Sequence, residues 1–364
     1  MDHINYQCSM LRYVVRERLI ASDPFLLFDI GCALGIDPVW RFFGEDLHAH
    51  GFDPLKDEIE ELTRHEANPN VHYHATFVGL PPSDPFHVAR PASTSGMYFT
   101  WGSQLARSSS IYAARLRKQS QSEPPVAAPA VEPASLSPAE RRAASVAAAE
   151  QWAAQPLATQ TIALSEFAGQ HGITNVDFVK TDTDGRDLEA LASCEPLIRR
   201  VGILGFMVEC FFNGSQDPTE NSFHNVDAFM RRNGFLLYAL SANRYSRATL
   251  PAPFLYPALY QTVSGQPVWG DMIYLRDGAS PDYANVFGDD LSPGKLLKLA
   301  CLYELFQLPD CAAELIAMRS DRIRTIADPE VLLDLLTPSL RGVQRSYREY
   351  LKLFEESVED FYPN

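Results

Sequence analysis

The sequence predicts an α/β fold: a seven-stranded, mostly parallel sheet with an antiparallel edge strand, followed by a C-terminal helical extension. Three observations predict it. Short apolar runs alternate with charged, amphipathic stretches along the first 283 residues, as strands alternate with helices in a covered parallel sheet. The run Phe25-Leu26-Leu27-Phe28 ends in Asp29 and then in a glycine turn, Gly31 to Gly35, the form of a buried strand that delivers a ligand-binding loop. Acids recur where such runs end, at Asp53 and Asp182, and Glu209 interrupts another run near its end.

The elements follow in order. Residues 5–21 read as an amphipathic helix, with Met10, Leu11, Val14, Val15 and Leu19 on one side and Arg12, Arg16 and Arg18 mostly on the other. After the opening strand, Pro38 to Phe43 suggest a helix, and Leu47 to Phe52 a second strand ending at Asp53-Pro54. Asp53 lies 53 − 29 = 24 residues beyond Asp29, close to the spacing of about 20 at which nucleotide-binding α/β folds set an acid against ribose hydroxyls. The alternative reading is an Asp-Pro turn. Lys56 to His65 form a charged helix, and Val71 to Val78 alternate as a third strand.

From about residue 104 to 160 the chain turns to Ala, Pro, Ser and Gln with almost no large apolar residue, which predicts a low-complexity, disordered insertion inside the domain. Within it, Pro138 to Trp152 suggest a transient helix, and Arg141-Arg142 a solubilising pair or a docking site. Order resumes with a short helix at Leu164 to Gln170, then a strand from Val176 to Asp182 that ends among acids. Asp184, Asp187 and Glu189 follow in the first turn of a helix, where the macrodipole favours them. Val201 to Phe212 is a further apolar strand, and a carboxylate buried there at Glu209 needs a reason. Asn221 to Asn233 form a helix, and Phe235 to Leu240 and Asp271 to Leu275 pair as the last strands across a long loop. That loop carries Tyr245-Ser246-Arg247 and Trp269-Gly270-Asp271, mixtures that stack on a sugar or pack the domain edge. Residues 284–364 read as helical, with Ser292-Pro293 and Asp328-Pro329 each setting a cap before a proline at the first helical position. This region packs on the sheet domain, 1–283, or forms a homodimer.

Composition narrows the function. With 46% hydrophobic and 21% charged residues in 364, the chain can bury a large core. A net charge of −15 and a pI near 5.0 disfavour a phosphate backbone, so no nucleic acid is expected. Six scattered cysteines without metal-ligand spacing read as reduced core residues, which predicts a cytoplasmic protein. No signal-peptide pattern opens the chain, and no apolar run approaches a membrane span.

The anchors together resemble class I S-adenosylmethionine-dependent methyltransferases, and more narrowly the FkbM-like family. The opening strand and loop match in Phe28-Asp29-Ile30-Gly31-Cys32-Ala33-Leu34-Gly35, where Cys32-Ala33 replaces the common Ala-Asn. The second-strand acid matches Asp53 in Gly51-Phe52-Asp53-Pro54. The family's Lys-x-Asp-x-Glu-Gly-x-Glu block appears as Lys180-Thr181-Asp182-Thr183-Asp184-Gly185-Arg186-Asp187, with Asp for both glutamates. The likeness spans roughly residues 20–240 apart from the insertion. It implies a Rossmann-like fold, S-adenosyl-L-methionine as cofactor and O-methylation of a hydroxyl on a sugar, glycan or natural product. The cofactor contacts it implies are Asp29, Gly31, Cys32 and Gly35 at the amino-acid end, Asp53 at the ribose, and Val78 and Gly79 beside the adenine.

Asp182, Asp184 and Glu209 converge at the strand ends as candidates to take the acceptor's proton, with His224 a further candidate base. The alternative reading of each acid is helix capping or a buried ion pair with Lys180. Asp182 with Asp184 or Glu209 has the chemistry to hold Mg²⁺ instead, and the sequence leaves that alternative open. Two other readings stay open: a catalytically inactive methyltransferase-like binding or assembly protein, and an NAD oxidoreductase. The Gly-x-x-x-Gly loop argues against the last.

Overall fold

A strand covered on both faces can be apolar throughout, and β1 (Phe25–Ile30) is buried at five of its six positions. The computed structural model describes residues 4–89, 157–198, 202–214, 216–245, 265–282 and 291–361. The insertion up to residue 156, with its Arg141-Arg142 pair, and Ser246-Arg247 lie outside the described residues.

The remaining strands are β2 (Leu47–Asp53), β3 (Val71–Ala75), β4 (Phe77–Val78), β5 (Thr161–Ile162), β6 (Phe178–Thr181), β7 (Gly205–Phe211), β8 (Leu236–Leu240), β9 (Asn243–Tyr245) and β10 (Gln266–Leu275). The main sheet runs β3-β2-β1-β6-β7-β10-β8, with β9 antiparallel on β10. β2 and β3 are parallel, as are β6 and β7. Chain order reverses between β1 and β6. In open α/β sheets that reversal opens a crevice at the carboxyl ends of the strands, where ligands bind.

The expected α/β sheet is present, with differences in detail. It has eight strands rather than seven, because the three residues of β9 pair with β10. The stretch Val71 to Val78 is two strands, not one. At Thr76 the backbone amide turns to Asp53 O and His74 O, both at 3.0 Å, and Phe77-Val78 pair instead with Thr161-Ile162 in a separate parallel ribbon. Residues 157–160, counted in the insertion, belong to the fold: Ala158 N donates to Pro54 O at 2.7 Å, and Gln160 O accepts from Phe77 N. Pro38–Asp46 form a 3₁₀ segment kinked at Gly44 rather than an α-helix.

The helices are α1 (Ser9–Arg16), α2 (Lys56–His65), α3 (Leu164–Gln170), α4 (Asp187–Ile198), α5 (Phe223–Arg232), α6 (Pro293–Leu305), α7 (Pro309–Met318), α8 (Ser320–Ile323), α9 (Pro329–Leu336) and α10 (Tyr347–Glu356). Two compact units result, one of Met1–Leu27, Asp37–His48 and Leu275–Asn364, the other of Phe28–Ile36 and Ala49–Tyr274. In the first, Phe25 stacks on Phe43 at 3.9 Å and on Trp40 at 5.9 Å. The amides of Met10 and Leu11, orphan donors at the start of α1, bond the buried Glu304 carboxylate at 3.0 and 2.7 Å. Lys298, fully buried on α6, reaches Asp23 at 2.9 Å and Pro24 O at 3.0 Å. Ser292 and Asp328 cap α6 and α9 as their sequences predict. Among the described residues, no helix is long and apolar enough to cross a membrane.

In the second unit one sheet face carries an aromatic and imidazole cluster. His50 and His74 stack with their Nδ1 and Nε2 3.0 Å apart, while Phe28, Phe52 and Phe167 pack edge-on or stacked around them. Burial, then His171 and His72, push the His74 imidazole down to about 4. A folded state that resists protonation loses stability as pH falls from the unfolded value, near 6.5, toward 4. Buried carboxylates with raised values act in the opposite direction, so the difference between two proteins isolates the imidazole. Between pH 7 and pH 5, wild type is expected to lose about 2 kcal/mol relative to His74→Gln, read from urea unfolding at each pH. Parallel pH dependences in the two proteins would refute this.

Candidate active site

Gly31 follows β1 with φ of +82°, a conformation that L side chains rarely adopt. Its amide donates to Phe52 O at 2.8 Å, and the carbonyl of Ile30 accepts from Asp182 N at 2.9 Å. A Cβ at Gly31 would land on the backbone carbonyl oxygen of Asp182. Gly35 closes the loop by donating to Cys32 O at 2.7 Å. Cys32 is buried, and burial followed by the charges of Asp29 and Asp53 raises its thiol well above the usual range, which makes it a packing residue. Leu34 in the same loop is 96% exposed.

Lys180 on β6 joins the loop to the acids. Its Nζ donates to Gly31 O at 3.2 Å and lies 3.2 Å from Asp29 Oδ1 and 3.7 Å from Asp182 Oδ2. Burial works to lower the value of this ammonium, but Asp29 and then Asp182 outweigh it and hold Lys180 charged. Asp29 is 1% exposed, so this is a buried ion pair. Asp53 ends β2 with Oδ1 accepting from Leu55 N at 2.9 Å, and burial pushes its carboxyl up to about 6.

Beyond β6 the carboxyls crowd. Asp184 sits at φ +53° in the turn before α4. Burial, then Asp182 and Asp53, raise it to about 7. Asp187, fully buried, accepts from Thr183 N at 3.2 Å and Asn221 Nδ2 at 3.0 Å, yet burial and Asp182 still push it upward. Glu209 on β7 is 5% exposed, and its Oε1 has no hydrogen-bond partner among the described residues. Burial, then Asp182, Asp187 and Asp184, raise it far above the carboxylate range, and a hydrogen bond with Asp182 helps hold its proton. Asp271 on β10 is half-buried against Ser241, whose hydroxyl lies 3.1 Å from Asp271 Oδ2. Burial and then Asp182 raise Asp271 as well.

The structure therefore groups Asp29, Gly31, Cys32, Gly35 and Asp53 on the β1–β2 side and Asp182, Asp184 and Glu209 on the β6–β7 side. His224 lies on the exposed face of α5's first turn, with Nδ1 3.1 Å from Ser222 Oγ. Val78 is buried in the β4–β5 ribbon, and Gly79 donates its amide to Ile162 O at 3.0 Å. No role among the acids was read from sequence for three participants. Asp271, read there within Trp269-Gly270-Asp271 and as the start of the last strand, joins because β10 lies beside β7, a long-range pairing. Asn221 is the polar anchor of Asp187. Arg186, buried beside Glu189 at 3.0 Å, donates to the carbonyls of Val88 and Ala89, while Glu189 accepts from Leu80 N, so this pair clamps the segment after β4. Among the described residues, no three of His, Cys, Asp or Glu are placed to hold a metal ion.

The family model of the methyltransferase FkbM domain matches residues 50–237, half of the chain. Among solved structures the chain is similar to a magnesium protoporphyrin IX methyltransferase from Synechocystis PCC 6803 with bound SAH. Identity is 8%, the TM-score is 0.29, and the match covers 73% of this chain and 81% of that one. No curated protein matches.

Proposed function

The chain belongs to the methyltransferase FkbM domain family, whose cofactor is S-adenosyl-L-methionine, and on that premise we propose that it methylates a hydroxyl of a sugar, glycan or natural product. The cofactor supplies a methyl group already activated on a sulfonium, which leaves the protein to position two partners and manage one proton. The Gly31–Gly35 loop would receive the amino-acid end, with the Asp29–Lys180 pair beside it; Gly31 has no room for a side chain, because the Asp182 carbonyl oxygen stands where its Cβ would be. Asp53 faces the ribose hydroxyls from the end of β2. On the acceptor side, Asp184 is the general base: a carboxyl near 7 is half ionised at neutral pH and basic enough to take an alcohol's proton as the oxygen attacks. Asp182 and Glu209 hold the acceptor beside it. The observation that supports this reading is Asp184 itself, half-buried at φ +53° in the turn between β6 and α4 and raised by burial, Asp182 and Asp53.

Calorimetry with S-adenosylmethionine tests the cofactor half of the reading. Saturable binding is expected, weakened roughly 10- to 100-fold by Asp53→Ala, the value of one or two charge-assisted hydrogen bonds. Absence of binding to folded protein would sink the reading, and saturation by NADH would replace it. Transfer of labelled methyl from the cofactor to a small-molecule extract separates an enzyme from a binding or assembly protein.

A further inference from the structure

We infer that Tyr73 is a positioning residue for the cofactor: with Glu66 behind it, its hydroxyl sets the far end of the loop from Gly31 to Ile36, and the pair governs affinity for the amino-acid end of S-adenosyl-L-methionine. The inference rests on the reading above that this loop receives that end, and deepens it by naming what holds the loop in shape. Near β1 the loop is tied by backbone bonds, the amides of Gly31 and Cys32 donating to Phe52 O at 2.8 and 3.3 Å. Its crest is bare, because the Leu34 side chain projects into solvent. A crest with so little packing takes its shape from its two ends. At the far end the Ile36 amide donates to Tyr73 Oη at 3.4 Å, and Tyr73 Oη donates in turn to Glu66 Oε2 at 2.9 Å.

The strand register explains why a tyrosine stands there. Side chains alternate along β3, so His72 and His74 join the imidazole cluster while Tyr73 takes the opposite face. Tyr73 pairs with Gly51 of β2, and a Cβ at Gly51 would lie 2.7 Å from Cys32 Sγ and 2.9 Å from the Tyr73 ring. The bare backbone at Gly51 therefore admits the buried thiol of the loop and the tyrosine ring together. A Cβ at Gly35 would lie 3.5 Å from Tyr73 Oη, so the hydroxyl also adjoins the second glycine of the loop. Glu66 is the C-cap of α2, and its Oε1 accepts from Asn68 N at 2.9 Å, which leaves Oε2 fixed in place for the phenol proton. A hydroxyl that donates to a carboxylate is polarised into a better acceptor, so Glu66 strengthens the hold on the Ile36 amide. Packing against Gly51 needs only the ring; the hydroxyl links the loop to α2.

The test titrates the full-length protein with S-adenosylhomocysteine and, in parallel, with methylthioadenosine, which keeps the nucleoside and lacks the amino-acid end. Tyr73→Phe, which keeps the ring, is expected to weaken S-adenosylhomocysteine about three- to tenfold, the value of one neutral hydrogen bond, and to leave methylthioadenosine within about twofold. Glu66→Ala, at a half-exposed site, is expected to act on the same ligand in the same direction by a smaller factor, and it carries the test if thermal unfolding shows the first variant misfolded. Equal weakening of both ligands overturns the inference and sets Tyr73 against the nucleoside. Unchanged affinity for both in Tyr73→Phe overturns it as well and makes the tyrosine a packing residue. Absence of S-adenosylhomocysteine binding to the folded wild type instead removes the cofactor reading itself, and this inference falls with it.

Discussion

Gly31→Ala is expected to destabilise the protein by about 3–5 kcal/mol, lowering Tm by roughly 10 °C, and to weaken S-adenosylmethionine binding at least about 100-fold. Two costs combine. For a residue with a Cβ, the left-handed backbone at φ of +82° costs about 1 kcal/mol. The larger cost is steric, because the new methyl would occupy the space of the Asp182 carbonyl oxygen and cannot be relieved by a rotamer change. The strands on either side must separate, and the bonds that join them, Asp182 N to Ile30 O and Lys180 Nζ to Gly31 O, are the ones that hold the loop beside the acids. Gly172 supplies the control: its φ is +64°, but among the described residues nothing lies within 4 Å of the point where its methyl would stand. Gly172→Ala is expected to cost only about 1 kcal/mol and to leave cofactor affinity unchanged. Thermal unfolding and calorimetric titration of both variants measure the difference. Equal losses in the two would mean that the β1 loop tolerates a side chain and is not the cofactor cradle.

Local signals made part of this molecule legible. The apolar run into Asp29 and Gly31 needs only neighbouring residues to be read as a buried strand and turn, and α2, α3 and the proline-capped starts of α6 and α9 are likewise local patterns. What depends on pairing across the chain was not legible. Val71 to Val78 alternates without a break, and the split at Thr76 exists because residues 160–162 return to claim Phe77 and Val78. The imidazole cluster requires the parallel register that sets His50 opposite His72 and Phe52 opposite His74. Asp182 and Glu209 were visible as acids at strand ends, but their pairing needs β6 beside β7, and Asp271 enters only because β10 follows β7 in the sheet. The same contrast separates Asp184 from His224. Both are offered by sequence as candidate bases, but Asp184 sits half-buried at φ +53° in the turn after β6 while His224 faces solvent on α5.

Asp184→Asn is expected to lower kcat by about 10²- to 10⁴-fold, the usual contribution of a general base, while leaving cofactor affinity within a few-fold. Asparagine fits the substitution because it tolerates the left-handed backbone that Asp184 occupies and keeps the side chain's shape. The pH profile carries the sharper claim. A base must be ionised to act, and Asp184 is raised to about 7 by burial, Asp182 and Asp53, so wild-type kcat is expected to climb through pH 6–8 and level off above. That rising limb should disappear in Asp184→Asn and leave a low, flat rate. Glu209→Gln separates this assignment from its closest rival. Glu209 is held protonated by burial and by Asp182, Asp187 and Asp184, and glutamine is close in shape to a protonated glutamate. Its removal as a titrating group should therefore spare kcat and its pH dependence. The reverse pattern, with Glu209→Gln abolishing turnover and Asp184→Asn retaining the rise near pH 7, would move the base to β7.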